Sequence, residues 1–121
     1  YAALYSEALA LSEKVGISTQ KFDSVIRGSR MDCGFYQTFM GYAIEGNREA
    51  HKFTITNALK DTRYLAAMAD DVNLSNPVGN AVKNSFALAH AAGGNGPEDY
   101  VPHLTDFIQK LNAVKKVSIE I

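Results

Sequence analysis

FTITNALKDTRYLAAMADDVN, residues 53–73, decides the fold. Ile55, Leu59, Ala66 and Ala69 recur at the spacing of a helix that buries one face, and no two-residue alternation competes with them. Thr54 or Thr56 can cap the start, because a hydroxyl there accepts from a backbone N–H that has no partner inside the helix. Asn73 is a suitable stop, since asparagine tolerates the left-handed conformation that ends many helices.

The same period extends in both directions. Leu4, Ala8, Leu11 and Val15 predict a first helix with those residues buried, ended by Gly16. Ser18 or Thr19 can cap a shorter helix carrying Phe22, Val25 and Ile26, which Gly28 ends before SRMDCG. A third helix holds Phe35, Phe39, Tyr42 and Ala43. Downstream, Asn76-Pro77 sets a capping side chain directly before a proline at the first helical position, with Val78, Val82, Phe86 and Ala89 as the apolar face. GGNGPED, residues 93–99, is a helix stop and turn. Its Asp99 can cap a final helix that Pro102 opens and that bears Leu104, Phe107, Ile108 and Leu111. Only the tail VKKVSIEI alternates like a short strand. The expectation is an all-α fold, a single compact bundle of about six helices over residues 1–113 with a tail at 114–121 and a loop-rich corner from Gly28 to Phe53.

Composition narrows the function classes. With 121 residues, 46% hydrophobic and 21% charged, the chain has the makeup of one soluble domain rather than a disordered segment. Twelve basic residues against 13 acidic leave a net charge of −1, so no global field draws in nucleic acid or an anionic membrane. Cys33 is the only cysteine, which excludes an intramolecular disulfide and points to a reducing compartment, the cytoplasm. No apolar run approaches the roughly 20 residues of a bilayer span, and no signal peptide opens the chain. Tyr1 falls in mid-helix pattern, and the expectation is a fragment that continues upstream.

Few residues offer chemistry. Nothing near Cys33 in sequence would activate its thiol, and a free cysteine is usually a small buried hydrophobe. His51, His90 and His103 lack metal-ligand spacing, so no metal is expected. GGNGPED follows a helix, whereas phosphate-cradling loops leave a strand. A helix-turn-helix reading of residues 2–27 fails because Lys21 and Arg27 alone offer little to phosphates. On the helix of residues 53–73, however, Asn57, Lys60, Asp61 and Tyr64 fall within an arc of roughly 100°, opposite the apolar residues. Water accounts for such a face unless something else docks there.

Read with its flanks, that stripe resembles a known arrangement. EALALSEKVGIS at residues 7–18, Phe53 eight residues before an aspartate that closes the pair Lys60-Asp61, the proline-led NPVGNAVKNSFALAHAAG and the acidic glycine loop GGNGPED are similar in order and spacing to the C-terminal domain of the β-hydroxyacid dehydrogenase family, which includes 3-hydroxyisobutyrate dehydrogenase. The resemblance runs from about Ala2 to about His103. It implies an all-helical domain like those of 6-phosphogluconate and 3-hydroxyisobutyrate dehydrogenases, lining one wall of an interdomain cleft. It further implies NAD or NADP as cofactor, a small hydroxyacid or semialdehyde as substrate, and association with further copies. Carried over by motif, Lys60 contacts the cofactor, Asp61 is a substrate-side or orienting residue, and Phe53 is an apolar wall, with Asn57 and Tyr64 on the same cleft face.

The departures are as informative. No G-x-G-x-x-G turn of a Rossmann domain occurs in the 121 residues. The acid/base lysine that the family carries on its interdomain helix would lie upstream of Tyr1, so no catalytic residue is assigned in this chain and the chain alone is expected to be inactive. The rival reading is a free-standing helical interaction domain whose Lys60/Asp61 stripe is simply wet.

Overall fold

A computed structural model describes residues 1–115. They form six α-helices: α1 (Ala2–Lys14), α2 (Thr19–Ile26), α3 (Gly34–Ala43), α4 (Ile55–Asp71), α5 (Pro77–Ala91) and α6 (Leu104–Leu111), the last entered through a 3₁₀ turn at Val101–His103. Among the described residues there is no strand, so the all-α expectation holds; the strand-like alternation of the tail lies largely outside them. The helices group into two units, one made of Tyr1–His51 with the segment from Pro102 onward, the other of Lys52–Val101.

In the first unit α1 packs on α6 and α2. The face that α1 buries is not the predicted one. Ala2, Ala3, Ser6, Leu9, Ala10, Ser12 and Glu13 are buried, whereas Leu4, Leu11 and Val15 stand in solvent. The cause is side-chain size at the contact with α6, where Ser6 Oγ lies 3.3 Å from Thr105 Oγ1. Alanine and serine let two backbones approach, and a leucine there would hold them apart. Ser6 also returns its hydroxyl proton to Ala2 O at 2.7 Å, so its burial leaves no orphaned group.

Two links then set α2 against the end of α1. Gly16, at φ 89°, closes α1 with its N–H on Glu13 O, while Ile17 N–H reaches Ser12 O at 2.8 Å. The buried carboxylate of Glu13 accepts from both the N–H of Thr19 at 2.9 Å and its hydroxyl at 2.7 Å. Of the two predicted caps, Ser18 is the one that accepts from Lys21 N–H. The expected face of α2 is only partly covered, with Phe22 and Ile26 half-buried and Val25 exposed. Helix α3 starts at Cys33, whose Sγ accepts from Tyr36 N–H, and buries Tyr36, Phe39 and Met40.

In the second unit α4 and α5 pack on each other. Thr54 caps α4 by accepting from Asn57 N–H at 3.1 Å. Asn73, at φ 57°, supplies the stop, with Leu74 N–H on Ala69 O. The cap expected of Asn76 is not made: Asn76 begins α5, but its side-chain oxygen accepts from Asn80 Nδ2 at 3.2 Å instead. Pro77, at the first helical position, leaves one fewer backbone N–H without a partner there. Val78 is exposed, so the buried face of α5 begins lower down and reaches Phe86 and Ala89. Gly93, at φ 116°, ends the helix as the turn reading required. Asp99 caps its own loop, accepting from Gly96 N–H at 2.9 Å, and not α6, whose start at His103 has no side-chain cap.

The double bond to Glu13 predicts a measurable cost of removing it. Glu13→Ala strands the buried N–H of Thr19, and the free energy of unfolding should fall by about 1–3 kcal/mol. A lowered urea midpoint with unchanged slope is the expected reading.

Candidate functional site

Helix α4 turns Ile55, Ala58, Leu59, Ala66 and Ala69 inward and leaves Asn57, Lys60, Asp61 and Tyr64 exposed. All four helical residues of the predicted stripe therefore share the outer face. Thr62, between the two sides, sends its hydroxyl back to Ala58 O at 2.8 Å, which satisfies it locally. Lys60 Nζ lies 3.7 Å from Asp61 Oδ1, with the two side chains 52% and 55% exposed. At that separation the pair is an ion contact rather than a hydrogen bond, and adjacent helical residues do not point at each other. An exposed pair of this kind stabilises a protein very little, so both charges remain available to a ligand.

Phe53 lies before the helix and so is not part of the stripe by register. It is held by its backbone: its carbonyl accepts from Val101 N–H at 2.8 Å, and Ile55 N–H donates to Asp99 O at 2.7 Å, around an antiparallel bridge between Thr54 and Tyr100. The ring is partly exposed.

The stripe also continues beyond the residues foreseen. Leu65, Met68 and Val72 are exposed, each four residues beyond an outward-facing member, so the polar end of the face grades into an apolar one. The signal is present in the spacing from Asp61 to Leu65 and from Tyr64 to Met68 to Val72.

Other chemistry-bearing groups have structural partners. Cys33 is exposed at the start of α3. His51 stands edge-on to Phe35, with centroids 5.5 Å apart. His103 is buried, its Nε2 3.0 Å from Arg48 O and its Nδ1 3.4 Å from Arg48 Nη2. A cavity of about 230 Å³ belongs to the first unit, between α1 and the end of α6, and none of the predicted site residues lines it. Among the described residues no group of three or more histidines, cysteines and carboxylates could hold a metal ion.

Three tyrosines are displaced electrostatically. Burial, and then donation to Asp106, pushes the Tyr42 phenol up to about 12. Burial and donation to Asp23 at 2.8 Å raise Tyr36 further, and burial with a hydrogen bond to Cys33 raises Tyr5. Asp32 moves the other way, held below the usual carboxylate range by the N–H of Gly28 at 2.8 Å. These networks fix the turns between α2, α3 and the Arg48 loop within the first unit.

A family model described as NAD-binding of NADP-dependent 3-hydroxyisobutyrate dehydrogenase matches residues 1–103. No curated protein and no solved structure matches the chain.

The raised phenols predict an alkaline limit. An unfolded tyrosine ionises near pH 10, so the stabilisation carried by neutral Tyr42 is complete below about pH 10 and is lost as pH rises through its folded value. The thermal midpoint should fall between about pH 10 and 12, and Tyr42→Phe should remove part of that fall. Midpoints recorded alongside tyrosinate absorbance test both.

Proposed function

The chain belongs to the 3-hydroxyisobutyrate dehydrogenase family, and from that premise we propose that the outer face of α4 is the helical wall of the active-site cleft in an NAD(P)-dependent β-hydroxyacid dehydrogenase or semialdehyde reductase. The observation that carries this reading is the Lys60–Asp61 pair, solvent-facing and only loosely joined at 3.7 Å, with Asn57 and Tyr64 beside it on one helical face.

The donor set suits a dinucleotide. Lys60 is a compact cation with three donors, matched to phosphate or hydroxyl oxygens, and the Asn57 amide adds donors and an acceptor. Bound there, the cofactor supplies the hydride acceptor or donor. The chain's own part is to bind and to orient: Lys60 contacts cofactor oxygens, Asp61 accepts from a substrate hydroxyl or steadies Lys60, and Phe53 and Tyr64 keep the adjoining wall apolar and partly dry.

None of these side chains is assigned the proton transfer, which falls to a lysine outside these residues, just as the dinucleotide-binding turn belongs to a further domain. The chain alone is therefore inactive, and in the complete enzyme it also associates with further copies. The family description supports an oxidoreductase and speaks of NADP. The lone cysteine suits the cytoplasm, and among the described residues no helix is long and apolar enough to cross a membrane.

The test is Lys60→Ala in the dehydrogenase that carries this chain. Losing one charge-assisted contact of about 1.5–3 kcal/mol should weaken NADPH binding by roughly ten- to a hundredfold in a fluorescence titration. The thermal midpoint should not move, because the side chain is half exposed. Unchanged affinity for NADPH would remove the role given to Lys60.

A further inference from the structure

The side of α1 away from its buried residues carries an apolar stripe that no described residue of the first unit covers. Leu4, Leu11 and Val15 are 63%, 66% and 64% exposed, and Ala8 between them is half-buried. At about 100° per residue the four fall within roughly 60° of arc, over a length of about 16 Å. Single exposed leucines are ordinary, but a stripe in helical register is a contiguous patch that marks an interaction surface.

We propose that this stripe receives a second copy of the same chain, the two α1 helices lying antiparallel across a two-fold axis. The pairing specifies the self-association proposed above and rests on that part of the reading alone. The occupant follows from the spacing, which is four, three, four and so reads the same in both directions. An axis through the middle of the stripe sets Leu4 against the second copy's Val15 and Ala8 against its Leu11. Each patch is then its own complement, as a two-fold interface requires.

Charge selects the direction. Glu7 and Lys14 lie on one flank of the stripe, about 20° apart in projection. In an antiparallel pair each flank meets the same flank of the other copy, and Glu7 comes within about 3 Å, measured along the helix, of the second copy's Lys14. Both ion pairs form at once. A parallel pair would set this flank against the one bearing Tyr1, Tyr5 and Ser12, leaving the charges without opposites. The same flank holds the cavity of about 230 Å³, lined by Glu7, Ala10, Leu11, Lys14, Ile108 and Val114 among others. It offers room for an apolar side chain of the second copy beside Leu11. Lys14 already donates to Asn112 O at 2.7 Å, which holds its stem along this flank.

Sedimentation and directed cross-linking of the purified chain, in a Cys33→Ser background, test the pairing. The expected results are a dimer at micromolar concentration and a shift to monomer in Leu11→Glu with unchanged far-ultraviolet helicity. A disulfide should form when Leu4→Cys and Val15→Cys proteins are mixed and oxidised, and in neither protein alone. Glu7→Lys should weaken the dimer at least tenfold, and the double variant Glu7→Lys, Lys14→Glu should restore it. A monomeric chain, or a dimer indifferent to Leu11→Glu, overturns the proposal, the second because another surface then carries the association. Self-linked Leu4→Cys overturns the antiparallel direction. NADPH affinity is read separately, so a monomer that still supports cofactor binding in the complete enzyme refutes this pairing and leaves the role of Lys60 standing.

Discussion

Two backbone hydrogen bonds, from Ile55 N–H to Asp99 O and from Val101 N–H to Phe53 O, fix where α4 begins. A helix turns about 100° with each residue, so its outward face is set by where the first turn starts as much as by which residues follow. With Thr54 held in extended conformation by this bridge, its hydroxyl caps the helix at Asn57 N–H. Ile55 then points inward and Lys60 outward. A start two residues later, at Thr56, would leave Ile55 outside the helix and unfix the position of Phe53. The bridge thus acts on the outer face of α4 as a rigid scaffold, holding in place exposed residues that contribute little to stability themselves.

In the other unit the controlling contact is the approach of α1 to α6. Ser6 and Thr105 can come within 3.3 Å because the surrounding residues of α1 are small. This choice sends the larger side chains of the helix outward. The consequence is a helix whose buried face is mostly alanine and serine, with Leu9 and Glu13 as its large members, while Leu4, Leu11 and Val15 stand outside. It is tolerable in water only as long as the outer stripe is limited in area or covered. Glu13 adds the second constraint, since a buried carboxylate needs donors and Thr19 gives it two.

The membership shown by residues 1–103 and the geometry of α4 bear on each other in one specific respect. A lysine next to an aspartate on a helix is unremarkable as a surface feature, and its ion contact contributes little to folding. Within a family of nicotinamide-dependent dehydrogenases, the same weakness means the pair has not been committed to structure. The tyrosine and histidine networks of the first unit behave oppositely. Tyr42, Arg48, His103 and Asp106 are bound to one another through hydrogen bonds and ring contacts, and that mutual satisfaction makes them structural.

How much was legible in the residues follows the range of the forces involved. Helix positions and ends were readable because they depend on neighbours within about four residues: Gly16, Asn73 and Gly93 stop helices where expected, and Ser18 and Thr54 were each one of two candidates for their caps. The Asn57, Lys60, Asp61 and Tyr64 face was readable for the same reason, being a matter of periodicity. Which side of α1 is buried was not, because hydrophobicity ranks Leu4 and Leu11 above Ala3 and Ser6, while the decision belonged to the shape of α6, a helix nearly a hundred residues away in sequence. The Asn76 and Asp99 side chains went elsewhere for a similar reason, each finding a nearer donor once its turn had formed. The sequence by itself determined the helices, their ends and the outer stripe of α4, since these are local. Only the tertiary structure decided which surfaces close on each other, since close packing depends on the fit between two partners and not on the polarity of one.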